Sequence, residues 1–261
     1  MKYYVVDAFA ETVFTGNPTG VCLLDKTDWP DDALLLAIAA EISLPETAYV
    51  LKRGDSYAMR WFAPNAEIDL CGHGTLAAGY VLSNFVEPDA AILKFETGAG
   101  TLKVEREGEL YEMDLPSRVP QKAMLTQELI DALGGTVPAE TYTSRDYFFL
   151  LESEDAVREL KPDFGLMRGL DFGDGVIVTA RGSQSDFVTR AFFPKLLTDE
   201  DPVCGSAHCN LIPFWAERLG KTQMISHQLS ARSGVIYCRH MGDRVRIAGK
   251  AALFSKGEIF V

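Results

Sequence analysis

Asp69-Leu70-Cys71-Gly72-His73-Gly74-Thr75-Leu76-Ala77-Ala78-Gly79 reads as a cysteine and two glycines at the mouth of a helix whose residues are small or apolar on every face. Such a helix is buried all round. The pattern returns as Cys204-Gly205-Ser206-Ala207, 133 residues further on. Outward from this pair, Arg60-Trp61-Phe62-Ala63-Pro64 is matched by Arg190-Ala191-Phe192-Phe193-Pro194 at an offset of 130, and Gly100 and Gly108 by Gly234 and Gly242 at 134. A near-constant offset of this kind marks a duplication, with one short insertion between the proline and the cysteine.

The duplication predicts an α+β protein of two pseudo-symmetric domains, residues 1–115 and 116–261, each a mostly antiparallel sheet wrapped around one central helix. Pro116 to Lys122 reads as the linker, and the last strand can return to the first domain. Short runs rich in Val, Tyr and Phe, bounded by Gly, Pro or Asp, predict strands at 3–9, 20–24, 46–52, 57–62, 92–96, 101–105 and 110–113, then at 142–151, 176–179, 187–193, 235–239 and 244–247. An ordinary helix is expected over 31–42, capped by Asp28. The second central helix is expected from Gly205 to Leu219, kinked or split at Pro213, which has no N–H to give.

With 261 residues, each half is large enough to bury a core. The net charge of −12 argues against nucleic acid or an anionic membrane surface as partner, because both require a basic patch. No apolar run approaches the roughly 18 residues of a membrane span, and the stretch Met1 to Asp7 is too short and too soon acidic for an export signal. Five irregularly spaced cysteines then read as reduced, in a cytoplasmic protein.

A helix N-terminus leaves backbone N–H groups unpaired and carries partial positive charge. Gly72-His73-Gly74 and Gly205-Ser206, if they face a shared cleft, would grip the carboxylate of a small substrate. Glu46, among apolar neighbours in Pro45-Glu46-Thr47-Ala48, is a candidate base whose pKa desolvation would raise. Asp201, in Asp199-Glu200-Asp201-Pro202, is a candidate second carboxylate. Cys71, His73, Cys204, His208 and Cys209 show neither a CxxC nor an HExxH spacing, so no metal site is expected.

At these residues the chain resembles the phenazine biosynthesis PhzF-like family, which shares its fold with diaminopimelate epimerase and proline racemase. The resemblance runs through Asp7-Ala8-Phe9, Phe14-Thr15-Gly16-Asn17-Pro18, Pro45-Glu46-Thr47-Ala48, Asp69-Leu70-Cys71-Gly72-His73-Gly74 and Glu200-Asp201-Pro202-Val203-Cys204-Gly205-Ser206-Ala207-His208-Cys209. It implies an isomerase without metal or organic cofactor, in which Glu46 shuttles a proton while His73, Asp201 and Ser206 position substrate and assist. Asn17, Cys71, Gly72, Gly74, Cys204 and Gly205 are then the binding residues. A homodimer is implied too, and the family's characterised activity is on trans-2,3-dihydro-3-hydroxyanthranilate. Gly74 departs from the alanine common in the family. Because Cys71 and Cys204 are both present, a two-thiol racemase or epimerase stands as the alternative, and a non-catalytic small-acid-binding protein as a third. From the cysteine and histidine spacing, treatment of the purified protein with a chelator is expected to leave its melting temperature unchanged; a fall of many degrees in a thermal scan would refute this.

Overall fold

The computed structural model describes residues 1–196 and 198–261. Met1–Asp114 with Ala248–Val261 form one compact unit and Leu115–Ile247 a second. In chain order the first carries strands Lys2–Ala8 (β1), Asn17–Leu24 (β2), Glu46–Arg53 (β3), Ser56–Ala63 (β4), Ala66–Ile68 (β5), Ile92–Thr97 (β6), Gly100–Glu107 (β7) and Leu110–Pro116 (β8), with helices Asp32–Ile42 (α1) and Gly72–Phe85 (α2). Then follow strands Gln121–Lys122 (β9), Glu140–Thr143 (β10), Tyr147–Leu150 (β11), Val176–Arg181 (β12), Phe187–Phe193 (β13), Thr198–Asp201 (β14), Gln223–Gln228 (β15), Gly234–His240 (β16) and Arg244–Gly249 (β17). Helices Gln127–Ala132 (α3), Glu154–Glu159 (α4), Phe164–Gly169 (α5) and His208–Leu219 (α6) lie among them, and Ala251–Glu258 (β18) closes the chain.

The strand pairing repeats. In the first unit β2 runs parallel to β3, β3 antiparallel to β4, β4 antiparallel to β5 and parallel to β6, and β6 antiparallel to β7. In the second, β11 is parallel to β12, β12 antiparallel to β13, β13 antiparallel to β14 and parallel to β15, and β15 antiparallel to β16. Antiparallel pairs dominate, and each parallel pair is bridged by helix, as a parallel connection requires. One partner differs in origin: β10 is flanked by β9, which precedes it, whereas β1 is flanked by β18 from the far end of the chain.

Helix α2 shows why small residues were needed. Ten of its fourteen residues are buried, and it rests on β1, β2, β3 and β7. Gly79 meets Val104 of β7 so closely that an added Cβ would lie 2.6 Å from Cγ1 and 3.1 Å from Cβ. The second central helix is held by aromatics instead: Phe187 stacks on Trp215 with ring centroids 5.7 Å apart, and Phe214 meets Phe148 edge-on at 4.8 Å. Beneath α3, α4 and α5 a further core gathers Leu129, Val157, Met167, Val178 and Phe192.

Several expectations need correction. Helix α1 is capped by Asp31, whose carboxylate accepts from the Ala33 N–H, and not by Asp28. The segment 142–151 is a hairpin of two strands, because Ser144 and Asp146 turn the chain. Helix α6 begins at His208, with Gly205-Ser206-Ala207 as a preceding turn. Pro213 does not interrupt it: the carbonyl of Cys209, which the proline leaves without its helical donor, accepts the backbone N–H of Arg118 at 2.9 Å. Alanine at position 79 would raise helix propensity by about 1 kcal/mol, yet overpacking against a strand costs about 1–3 kcal/mol. Gly79→Ala is therefore expected to melt several degrees below the parent, and a higher melting temperature would show that β7 yields freely.

Candidate active site

Glu46 opens β3, and His73 sits in the first turn of α2. Their side chains meet with His73 Nε2 2.7 Å from Glu46 Oε2, at only 10% and 18% exposure. Cys71 Sγ lies 3.5 Å from the same nitrogen. The amide of Asn17, the first residue of β2, lies 3.2 Å from the other ring nitrogen, Nδ1. Asn17 is delivered by a strained loop in which Phe9, Phe14 and Gly16 have φ of 57°, 73° and 68°. The Asp7 carboxylate accepts the Phe14 N–H at 2.8 Å. A Cβ at Gly16 would strike the carbonyl oxygen of Ala8 at 2.2 Å, so glycine is required.

Burial alone would push the Glu46 carboxyl up, as its apolar sequence context suggested. The structure reverses that expectation, because the charge and hydrogen bond of His73 outweigh desolvation and the pKa is lowered. Burial likewise opposes charge on His73, but Cys71 and Glu46 pull its pKa well above the usual value. The Cys71 thiol is itself pushed up by burial, so at neutral pH it is uncharged and Glu46 is the anion that matters. The resting pair is carboxylate and imidazolium. Asn17 can turn either end of its amide to the ring, which suits both protonation states of Nδ1.

Around Cys204 the second unit repeats the construction of the Cys71 turn. Cys71 Sγ accepts the Gly74 N–H, three residues on, at 3.3 Å. The Cys71 carbonyl accepts the Thr75 hydroxyl at 2.6 Å, and the Cys204 carbonyl lies 2.8 Å from His208 Nδ1, each four residues on. Burial and the Asp201 carboxylate hold the Cys204 thiol far above its usual pKa. Ser206 Oγ is 3.4 Å from Cys204 Sγ. His208, wholly buried, is pushed down to about 4 by desolvation. It is therefore neutral, its Nδ1–H donating to Cys204 and its Nε2 accepting the Ser226 hydroxyl at 2.8 Å. Within the first unit Glu46, His73, Cys71 and Asn17 converge, and Gly72 and Gly74 form the adjoining turn. In the second, Asp201, Cys204, Gly205 and Ser206 lie on one turn. Sequence reasoning weighed His208 as a metal ligand without seeing that it fixes the turn, and it missed Thr75, Ser226 and Gln228.

One ligand atom each from Glu46, Cys71 and His73 lies within 4.8 Å of the others, a set of three donors that could hold a metal ion. The sequence spacing did not foretell this set, since its members are 25 and 2 residues apart. Its protonation runs against metal binding: Cys71 rests as a thiol and His73 as imidazolium, and both protons would have to leave.

Fold and site together define an α+β protein of the epimerase-like kind with buried acid–base groups at a helix start. The chain belongs to the phenazine biosynthesis-like (PhzC-PhzF) protein family, which it matches over residues 6–257. An uncharacterized isomerase of Pseudomonas aeruginosa is 46% identical over 260 residues, covering 99% of this chain and 98% of that protein. A crystal structure of a PhzF-family phenazine biosynthesis protein from Enterococcus faecalis is 48% identical, with a TM-score of 0.97 over 100% of this chain and 99% of that one. A hydroxyproline epimerase from Agrobacterium vitis shares the fold at 13% identity, with a TM-score of 0.66 over 99% of this chain and 90% of that one. Among the described residues no helix is long and apolar enough to cross a membrane.

The paired shifts set a pH window. Glu46, with its pKa lowered, contributes stability above its unfolded value of about 4.3 that is lost as pH falls through the folded value; His73, with its pKa raised, contributes below about 6.5 and loses it as pH rises. The ion pair is fully formed between these limits. NMR titration of the imidazole protons should find His73 charged at pH 7 and His208 neutral. In Glu46→Gln the His73 pKa should fall, because Cys71 alone is left to oppose burial; a His73 titration that does not move in that variant would refute the pairing.

Proposed function

We propose that this chain is a cofactor-independent isomerase that moves a proton between carbons of a small carboxylate-bearing substrate, with Glu46 as the acid–base group. The observation that carries the reading is the buried Glu46–His73 pair at the N-terminus of α2. Glu46, held ionised, takes a proton from a substrate carbon. The charge this creates is delocalised into the substrate carboxylate and stabilised by the first-turn N–H groups and the imidazolium. The same proton then returns at a different carbon, from Glu46 or through His73. A base of low pKa suits such a step only because the developing anion is stabilised beside it.

Asp201 and Ser206 are assigned to positioning substrate and assisting proton movement, as the family resemblance implies, and we take the protein to act as a cytoplasmic homodimer. The two-thiol alternative would need Cys71 or Cys204 as a thiolate. Both are held as thiols by burial, and the Cys71 sulfur is engaged as acceptor of a turn N–H. A small-acid-binding protein without chemistry would have no use for an ion pair buried beside the anion-binding turn.

The readings part in one experiment, proton exchange into small unsaturated amino and hydroxy acids in heavy water. Glu46→Gln should lower kcat by several orders of magnitude and leave binding of a substrate analogue nearly intact. Cys71→Ser and Cys204→Ser should be mild. Undiminished exchange in Glu46→Gln, with loss in the cysteine variants, would transfer the chemistry to the thiols.

A further inference from the structure

Strand β15 ends in Ser226-His227-Gln228, and the two alternate residues Ser226 and Gln228 are both wholly buried although both are polar. Gln228 uses both ends of its amide on one turn: Oε1 accepts the Cys204 N–H at 2.8 Å, and Nε2 donates to the Asp201 carbonyl at 2.6 Å. Within this bracket the Asp201 carboxylate accepts the Val203 N–H at 3.2 Å, and Ser230 donates to the Pro202 carbonyl at 2.6 Å. Ser226 reaches the same turn indirectly, through His208 to the Cys204 carbonyl.

The duplication supplies the control. Phe187 of β13 lies beside Ser226 of β15, and its counterpart Tyr57 of β4 lies beside Phe95 of β6. The position matching Ser226 is therefore a wholly buried phenylalanine, and the one matching Gln228 is Thr97, whose hydroxyl bonds its own hairpin at Gly100. A fold that accepts a phenylalanine in place of Ser226 and a threonine in place of Gln228 does not need a buried amide at this strand end for packing. Burying one is unfavourable unless its hydrogen bonds are made; here they are made, and all go to the turn that carries Asp201, Cys204 and Ser206.

We propose that Gln228, backed by Ser226 and His208, is a positioning residue for the isomerase reaction: it fixes the backbone on either side of Pro202-Val203 so that Asp201 and Ser206 are presented in one geometry. This rests on the reading that the Asp201–Ser206 turn belongs to the reaction site. A clamp of this kind acts on turnover more than on binding, since small displacements of a positioned group are felt most in the transition state.

The test pairs a measurement that needs no substrate with one that does. Gln228→Leu keeps the volume and removes both hydrogen bonds; Gln228→Asn keeps the amide but is one methylene short, so it can hold at most one of them and is the milder variant should the first not fold. Hydrogen exchange at the Cys204 amide should speed at least tenfold in both, with the Gly74 and Thr75 amides of the first unit unchanged. Proton exchange into the best substrate of the heavy-water panel should lose ten- to a hundredfold in kcat, with KM moving less than threefold. Val157→Ala, a core truncation in the same unit, should lower the melting temperature without that split, which separates positioning from general loss of stability. Unchanged Cys204 protection would overturn the clamp whatever the activity. Lost protection with parental kcat would overturn its role in the reaction. Should the parent protein exchange none of the acids, the isomerase reading fails and the catalytic role of Gln228 fails with it, while the amide data still report whether the clamp exists.

Discussion

A helix that begins inside a protein must find partners for N–H groups that its own turns cannot satisfy, and α2 meets that constraint with a cysteine. The Cys71 sulfur takes the N–H three residues on, and its carbonyl takes the Thr75 hydroxyl four residues on; ahead of α6 the Cys204 carbonyl takes the His208 ring in the same way. Sulfur is a weak acceptor, but it is compatible with burial where a carboxylate would require a counter-charge. The choice has a chemical consequence. A thiol committed to an N–H and shut away from water stays a thiol, which on the proposed reading leaves acid–base work to the groups beside it.

In the first unit those groups are a carboxylate and an imidazole that charge each other. Neither would be ionised so readily in its own cavity, since desolvation acts against both. Together they form a buried pair, whose net contribution to stability is small because desolvation offsets much of the attraction. On the proposed reading its value lies in chemistry: it keeps a proton and a place for a proton 2.7 Å apart beside the positive end of α2. The second unit is built on the same plan and carries Ser206 where the first has His73, and a neutral histidine where the first has Thr75. Duplication supplied two copies of one frame, and different side chains gave them different electrostatics.

The duplication, the strands of the first half and the candidate residues were legible because they rest on local signals: glycines at turns, alternating apolar residues, a cysteine before a run of small ones. Helices α3, α4 and α5 were not. At six residues each they are too short for a hydrophobic period to declare itself, and their visible signals were the caps Thr126, Ser153 and Asp163, each accepting the N–H three residues on. Strand β15 was missed because its buried positions include serine and glutamine, which read as loop. The sign of the Glu46 shift could not be read locally either, since the apolar neighbours that argued for a raised pKa are adjacent in sequence while the imidazole that lowers it comes from α2. The role of Gln228 was equally invisible, its two partners lying 24 and 27 residues away.

The return of β18 to β1 makes the second unit an insertion in the first. Strand β1 pairs with β2 on one side and with β18 on the other, from Lys2 opposite Glu258 to Ala8 opposite Ala251. During synthesis β1 precedes β18 by the whole of the second unit, and its outer edge is without that partner until residues 251–258 have emerged. Strands β9 to β16 pair with one another and can do so before that edge is covered. A ribosome pausing before Ala251 would hold a finished second unit and a first unit with one raw edge, and that edge is where misassociation of nascent chains would begin.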